Sequence, residues 1–316
     1  IFLIAPIFFY IYGSYYEDKF NAADKIIYDY KVRAIGSNIS IDRFYSNIDP
    51  ISVIEDLINI SDPGENEKTI FIWPEGILSN DEPEKFMKIK SLIEKNFSEN
   101  HFLIIGTNKK SYNGESDNYF NSLFVYNNKL DPIDSYDKIN LVPFGEFLPF
   151  ENILKVIGLK SLTNNYQSFS SGKERKIIEI KQQNFSLKIL PLICYEIIYS
   201  GKLSDNLNFD FIINISEDGW FGDSIGPKQH FAHSIFRAVE EGKNIIRSTN
   251  NGASAYIDGS GKIIKKIETT QSGVIDIIQY KYLKKTIFSQ IQNGMFFYLF
   301  VIYISLIFFI NKKEYK

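Results

Sequence analysis

Short apolar stretches alternate with amphipathic ones along the middle of the chain, and this alternation limits the possible folds more than any other feature. The apolar stretches are rich in β-branched or aromatic residues and several are continuous, which is typical of strands covered on both faces. The predicted strands cover residues 69–73, 102–107, 123–126, 187–194, 211–215, 244–248 and 253–258. Apolar residues at helical spacing after Pro83 and after Pro227 predict helices between strands. The pattern therefore predicts one α/β domain of about 260 residues.

Charge and cysteine content exclude several functional classes. The 316 residues include 35 Lys and Arg against 38 Asp and Glu, so the net charge of −3 offers no broad basic surface for a nucleic acid. A single cysteine, Cys194, excludes an internal disulfide framework and any zinc or iron–sulfur site with several cysteine ligands. The thiol is therefore either an inert buried group or a nucleophile.

Two apolar runs flank this domain, at residues 1–12 and 295–310. The first is too short to cross about 30 Å of hydrocarbon, so we expect the remnant of a transmembrane helix over residues 1–13 in an N-terminally truncated chain. The second predicts a C-terminal transmembrane helix over residues 287–311 and a cytoplasmic tail over residues 312–316, with a buried C-terminal helix as the alternative. The domain between them covers residues 14–286.

Three residues with chemical potential lie at predicted strand exits. Cys194 closes a buried strand, and Glu75 follows another strand directly after Pro74, which cannot continue a central strand. Lys138 precedes an aromatic segment with Glu146 in its midst, and a carboxylate among aromatic rings needs a cationic partner. Taken singly, each residue more often has a structural role: a buried thiol, a solvated turn glutamate or a surface lysine.

A carboxylate, an ammonium and a thiol together make a coherent chemical set. The carboxylate can take the thiol proton, and the resulting thiolate is the attacking species. The ammonium can lower the thiol pKa and stabilise the oxyanion of a tetrahedral intermediate. The set predicts acyl transfer or hydrolysis through a thioester.

Five stretches resemble the carbon–nitrogen hydrolase (nitrilase) superfamily, whose hallmark is a Glu–Lys–Cys triad on an αββα sandwich. More narrowly, they resemble its apolipoprotein N-acyltransferase branch, and the WFGDSIGP segment and the flanking apolar runs favour that branch. The stretches are WPEG at 73–76, YDKINLVPFGEFLP at 136–149, ICYEI at 193–197, DGWFGDSIGPKQH at 218–230 and RSTNNGASAYID at 247–258. The resemblance implies a nitrilase-like αββα sandwich for residues 14–286.

Carried over residue by residue, the resemblance implies that Glu75 is the general base, Lys138 the cation beside the oxyanion and Cys194 the nucleophile. Its accessory site residues are Glu146, which orients the triad, and Tyr195 and Glu196, which lie beside the nucleophile. The amide of Tyr195 can donate to the oxyanion.

The chain departs from the pattern of the family at Glu217, where the family commonly has Asn, and at residues 36–39, which lack its usual Gln-Pro. These changes lie outside the triad, and we expect them to affect substrate fit.

The resemblance implies transfer of an acyl chain from a membrane phospholipid, through a Cys194 thioester, to the N-terminal α-amine of a diacylglyceryl-cysteine apolipoprotein. This ping-pong reaction needs no metal or other cofactor. Its implied partners are the phospholipid donor, the apolipoprotein acceptor and the bilayer, with no nucleic acid. The implied location is the bacterial inner membrane, multi-pass in the full-length protein, with the catalytic domain periplasmic. The alternatives are a membrane-tethered amidase or nitrilase, and a binding module without activity.

Two further features receive a prediction. His230 and His233 are spaced for one helix face, but no third metal ligand is evident, so we expect packing or polar-cap roles for them. Residues 151–171 combine an apolar cluster with a tail rich in Asn and Ser. We interpret this segment as a lid whose apolar face meets the bilayer and admits acyl chains.

Overall fold

The structure is a computed structural model that describes residues 4–45, 48–112, 114, 117–149, 168–182, 185–201, 203, 208–281 and 286–314. Its helices are α1 (Ile4–Asn21), α2 (Pro50–Ser61), α3 (Pro83–Asn96), α4 (Gly226–Glu241), α5 (Ile287–Ile291) and α6 (Gly294–Glu314). Its strands are β1 (Lys25–Gly36), β2 (Thr69–Ile72), β3 (Leu78–Ser79), β4 (His101–Tyr112), β5 (Asp117–Asn127), β6 (Pro132–Asp137), β7 (Ile178–Gln182), β8 (Phe185–Ile193), β9 (Phe211–Glu217), β10 (Asn244–Asn250), β11 (Ser254–Ile257), β12 (Ile263–Ile267) and β13 (Gly273–Lys281). Most of the predicted lid, namely residues 151–167, lies outside the described residues.

The strands form two sheets with parallel centres and antiparallel edges. In the first sheet the order is β13-β1-β2-β4-β5-β6, with β3 beside β4, and in the second it is β12-β11-β10-β9-β8-β7. The strands β1, β2 and β4 run parallel in one sheet, and β8, β9 and β10 run parallel in the other. The carboxyl ends of several strands therefore share one edge of each sheet, where open α/β sheets place their sites.

Side chains along each central strand point alternately to the two faces of its sheet, and their packing on both faces gives four layers. On β2, Ile70 and Ile72 lie in the core between the two sheets, whereas Phe71 packs with α2 and α3 on the outer face. On β9, Ile213 faces the other sheet, whereas Ile212 packs with α4. Both faces of these strands are apolar because both are covered, and the αββα sandwich that the sequence predicted is confirmed.

All seven predicted strands and both predicted helices are present, with different ends. The predicted strand at 102–107 extends to Tyr112 as β4, and the predicted strand at 187–194 ends one residue early, at Ile193. Cys194 has a φ of 49° and starts a short 3-10 helix, Cys194–Ile198, because a residue in the left-handed region cannot continue a strand.

The apolar runs form α1, which continues through Gly13 to Asn21, and α6. Their large apolar side chains are exposed, as at Phe9 (69%) and Phe296 (76%). Within the part of the chain that the structure describes, no helix is long and apolar enough to cross a membrane, so the transmembrane segments predicted at 1–13 and 287–311 find no support there.

Candidate active site

Glu75 is held at the exit of β2 by the neighbouring strand β4. The amide of Gly106 on β4 donates to Pro74 O at 3.1 Å, and Gly106 O accepts from Ile77 N at 2.9 Å. A Cβ at Gly106 would meet the Cα of Glu75 at 2.5 Å, so the close approach of the two backbones needs glycine there. The sequence thus fixes the turn that presents the carboxylate.

The Glu75 carboxylate is buried and both of its oxygens accept hydrogen bonds. Asn121 Nδ2 donates to Oε1 at 2.6 Å, and the backbone N–H of Glu217 donates to Oε2 at 2.8 Å. The Lys138 Nζ lies 3.7 Å from Oε1. These contacts tie Glu75 to both sheets, because Asn121 lies on β5 and Glu217 ends β9.

Lys138 follows β6 and is 1% exposed, which makes it one of the largest fully buried side chains among the described residues. Its Nζ donates to Glu146 Oε1 at 2.9 Å, and Asn121 Nδ2 donates to the same oxygen at 2.9 Å. Val142 N donates to the other Glu146 oxygen at 2.8 Å. The ammonium is therefore shared by two carboxylates, Glu75 and Glu146, with Asn121 bridging them.

Cys194 begins the turn that leaves β8 and is buried, with 8% of its surface exposed. Its left-handed backbone costs a non-glycine residue about 1–3 kcal/mol, so the surrounding contacts must hold it in place. Glu196 supplies such contacts, since its Oε2 accepts from Ile193 N at 2.9 Å while its Oε1 accepts from Tyr136 Oη at 2.7 Å and Ile139 N at 3.1 Å. Glu196 thus joins the exit of β8 to the exit of β6, and both of its oxygens bond to this scaffold.

Burial and neighbouring charges shift the pKa of each central group. Desolvation raises the pKa of Glu75, and Glu146 raises it further against the opposing effect of Lys138. Desolvation and Glu75 raise the pKa of the Cys194 thiol, although Lys138 opposes them. Desolvation would lower the pKa of Lys138, but Glu146 and Glu75 outweigh it and raise that pKa. At neutral pH the thiol is protonated and the lysine is charged, and the carboxylate beside them is a strengthened base.

Residues 67–281 match the carbon-nitrogen hydrolase family, which covers most of the domain just described. The chain belongs to the carbon-nitrogen hydrolase family. Two solved structures have a similar fold. Nit3 from Saccharomyces cerevisiae, of branch 10 of the nitrilase superfamily, matches with a TM-score of 0.52 and 17% identity, over 81% of this chain and 90% of that one. XC1258 from Xanthomonas campestris, a CN-hydrolase superfamily protein, matches with a TM-score of 0.51 and 16% identity, over 78% of this chain and 89% of that one.

The chain is also similar to apolipoprotein N-acyltransferases, and the resemblance predicted from its motifs is confirmed. That of Rhizobium rhizogenes (strain K84) is 34% identical over 219 residues, 67% of this chain and 40% of that protein. That of Caulobacter vibrioides is 36% identical over 215 residues, 66% of this chain and 40% of that protein. The chain spans less than half the length of these relatives.

The Tyr195 side chain is half-buried and packs against the core between the sheets, with its ring 5.8 Å from that of Tyr199. Its backbone N–H lies in the first turn of the 3-10 helix, where amide donors have no partner within the helix. This amide belongs to the peptide that follows the thiol, and a backbone N–H beside a nucleophile can serve as an oxyanion donor.

Two parts of this carbon-nitrogen hydrolase site were missed by sequence reasoning. Asn121 joins Glu75 to Glu146. The signal in the sequence was an amide side chain shortly before the apolar run at residues 123–126. Arg247 and Asp218 form a fully buried ion pair at 2.8 Å, and their signal was charge placed at apolar strands.

Glu217, where the resemblance implies Asn in the family, is paired with a cation in this chain. Its Oε2 accepts from Arg43 Nη2 at 2.6 Å and from Asn250 Nδ2 at 2.6 Å, and its Oε1 accepts from Gly219 N at 2.9 Å. The buried negative charge is therefore neutralised, and the backbone N–H of Glu217 remains directed at Glu75.

The two histidines on α4 differ. His230 is buried and contacts Asp218 and the carbonyl of Cys194, whereas His233 is half-buried and contacts the Phe236 ring at 6.5 Å between centroids. Among the described residues, no group of three or more His, Cys, Asp or Glu side chains has the arrangement of a metal site.

Proposed function

We propose that Cys194 is the nucleophile of an acyl transfer, with Glu75 as general base and Lys138 as the cation beside the developing oxyanion. The observation that carries the proposal is the buried cluster in which one ammonium is shared by two carboxylates and acts electrostatically on the thiol. Glu75 has the raised pKa that suits a proton acceptor. Lys138 has a raised pKa, so it stays charged and cannot itself be the base.

In the first half-reaction the thiol proton moves to Glu75 as sulfur attacks the ester carbonyl carbon of the donor. The carbon–sulfur bond forms, and the carbonyl electron pair moves to oxygen, where Lys138 and the Tyr195 amide stabilise the negative charge. Collapse of this intermediate breaks the ester bond, and the alkoxide leaves with the proton from Glu75. Glu146 keeps Lys138 in position during this step.

In the second half-reaction the amine nitrogen bonds to the thioester carbonyl carbon and gives a proton to Glu75. The carbon–sulfur bond then breaks, and the leaving thiolate recovers the proton from Glu75. We assign a membrane phospholipid as donor and the α-amine of a diacylglyceryl-cysteine apolipoprotein as acceptor, because the similar proteins that match most of this domain are apolipoprotein N-acyltransferases. Phospholipid and lipoprotein are thus the proposed partners.

We propose that α1 and α6 hold the domain at the bacterial inner membrane, with the catalytic domain on the periplasmic side. Both helices expose large apolar side chains, such as Phe8 (60%) on α1 and Phe308 (66%) on α6, and lipid would cover this surface. The apolar exposure of both helices is the support for this location.

The test is intact-mass analysis of the detergent-solubilised chain after incubation with phospholipid vesicles, beside Cys194→Ala as the matched control. We expect a mass gain of one acyl chain in the wild type and none in the variant. Addition of a diacylglyceryl-cysteine peptide should then discharge the acyl group to the peptide. Release of ammonia from small amides with no acyl gain from phospholipid would instead identify an amidase or nitrilase.

A further inference from the structure

A second buried charged cluster, formed by Asp218, His230 and Arg247, contacts the nucleophile turn and has no part in the reaction described above. Each of its side chains is at most 4% exposed. His230 Nε2 lies 3.1 Å from the carbonyl oxygen of Cys194. The cluster therefore contacts the backbone of the nucleophile through His230.

The hydrogen-bond partner of Nε2 places a hydrogen on that nitrogen of His230. A carbonyl oxygen can only accept, so Nε2 carries the hydrogen that faces Cys194 O. Nδ1 lies 3.1 Å from Arg247 Nη2, a donor, and 2.9 Å from Asp218 Oδ1. Asp218 accepts from Arg247 Nη2 at 2.9 and 2.8 Å, one bond to each oxygen, so Nδ1 lies between an acceptor and a donor, and only the hydrogen on Nε2 is fixed by its partner.

The surroundings of His230 are buried and charged. Desolvation and the adjacent charge of Arg247 lower the pKa of His230, against the opposing effect of Asp218. Within this cluster, the Nε2–H of His230 is the group directed at the Cys194 carbonyl. Arg247 in turn is fixed by Asn214 and by Ala253 O, at 3.2 Å from its Nε.

A hydrogen bond to the Cys194 carbonyl also orients the amide on the other end of the same peptide bond. The peptide is planar and trans, so its C=O and N–H point in opposite directions. That N–H belongs to Tyr195. We propose that His230 is a positioning residue, which fixes the Cys194–Tyr195 peptide so that the Tyr195 N–H points at the oxyanion of the tetrahedral intermediate.

This inference rests on the proposed function in one respect, namely that the reaction passes through a tetrahedral oxyanion at Cys194. Two reagents separate the oxyanion from the thiolate. In acylation by p-nitrophenyl acetate, sulfur bonds to the carbonyl carbon, its proton goes to Glu75, an oxyanion forms, and p-nitrophenolate leaves. In alkylation by iodoacetamide, sulfur bonds to the methylene carbon and iodide leaves, with no oxyanion. A defect in orienting the amide slows the first reaction and spares the second.

The variants are His230→Asn, which keeps a polar group near Arg247 but cannot reach Cys194 O, and His230→Gln, whose amide nitrogen extends to the position of Nε2. We expect His230→Asn to lower the acylation rate about 10²-fold, the cost of one oxyanion donor, with a nearly unchanged alkylation rate. His230→Gln should retain most of the acylation rate. His233→Asn, on the same helix and outside the cluster, is the matched control and should behave as wild type.

Several outcomes would overturn the inference. They are equal loss of acylation and alkylation in His230→Asn, no rescue by His230→Gln although both variants melt like wild type, and a wild-type protein that is alkylated but not acylated. If either variant melts at a lower temperature than wild type, the ratio of its acylation rate to its alkylation rate, measured below its melting temperature, still tests the inference. Neither reagent depends on the natural donor, so failure of phospholipid to acylate Cys194 would remove the proposed function and leave this inference standing.

Discussion

Two buried charged clusters meet at Cys194 and differ in their balance of charge. In the Lys138 cluster (Glu75, Lys138, Glu146) two carboxylates share one ammonium. In the Arg247 cluster (Asp218, His230, Arg247) one carboxylate faces one guanidinium and one imidazole ring. The first acts on the thiol, whereas the second contacts the Cys194 carbonyl through His230, and its Asp218 also raises the pKa of the thiol.

The unequal balance gives the carboxyl groups of the two clusters opposite pKa shifts. Burial and the second carboxylate raise the pKa of Glu75. Burial would also raise the pKa of Asp218, but Arg247 and His230 outweigh it and hold that pKa at about 2. An excess of carboxylate makes a group that accepts protons, whereas a paired carboxylate stays ionised and holds geometry.

The largest predicted effect comes from removing the shared cation. In Lys138→Met two carboxylates lose their common counter-charge and the oxyanion loses its cation, so we expect the acylation rate of Cys194 to fall about 10³-fold, or ~4 kcal/mol in the barrier. Stopped-flow measurement of p-nitrophenolate release gives the rate. Lys109→Met is the control, because Lys109 pairs with Asp137 at the half-exposed end of the sheet, and it should change the rate little. A Lys138→Met rate close to that of the control would contradict the assigned role of the cation.

The next largest effect comes from removing the carboxylate of the Arg247 cluster. Asp218→Asn leaves the buried Arg247 guanidinium without its counter-charge, and we expect the free energy of unfolding to fall by about 3 kcal/mol. Chemical denaturation measures it. Asp276→Asn, which removes a half-buried partner of Arg33, should cost about 1 kcal/mol or less. Equal losses in the two variants would mean that the Arg247 cluster contributes no more than a surface ion pair.

The same difference in environment explains how much of the fold the sequence predicts. Central strands such as β2 and β9 are apolar on both faces and are predicted from their continuous apolar runs. The strands β7, β12 and β13 at sheet edges carry charged residues, and charged residues also interrupt β1, so these strands give no comparable signal. Their pairing is decided by contacts distant in sequence, as where β1 pairs with β13.

Glu75 and Lys138 were predictable because each follows a strand, and both, like Glu146, lie in a motif. The sequence could not predict that Lys138 would be shared between Glu75 and Glu146 through Asn121, since that depends on distances between segments that are far apart in the chain. It also assigned His230 a packing or polar-cap role, and its contact with the Cys194 carbonyl became visible only in three dimensions.

A smaller effect is the pH dependence of stability and of activity, which should differ because Asp218 governs the first and Glu75 the second. The pKa of Asp218 falls from 3.8 to about 2 on folding, so its stabilisation is complete above about pH 4 and is lost as the pH falls toward 2. This amounts to about 2.5 kcal/mol. Glu75, with a raised pKa, must lose its proton to act, so activity should fall at a higher pH, while the protein is still folded. Rate profiles beside denaturation curves from pH 2 to 7 test this, and coincident losses of rate and stability would contradict it.

The smallest effect concerns the hydrogen bond from Tyr136 to Glu196, which connects the exits of β6 and β8. Tyr136→Phe removes the hydroxyl that donates to Glu196 at 2.7 Å, a fully buried bond to a charged group, and we expect a loss of about 1.5 kcal/mol in stability. Tyr126→Phe is the control, because that buried hydroxyl lies 3.5 Å from Thr107 in a contact between neutral groups, and it should cost about 0.5 kcal/mol or less. Since Glu196 also accepts from Ile193 N and Ile139 N, Tyr136→Phe should slow acylation only slightly, as the remaining donors keep the exits of β6 and β8 joined. If Tyr136→Phe instead slows acylation as much as Lys138→Met, then Glu196 acts on the chemistry itself, and the division between a proton-accepting cluster and a scaffold would have to be redrawn.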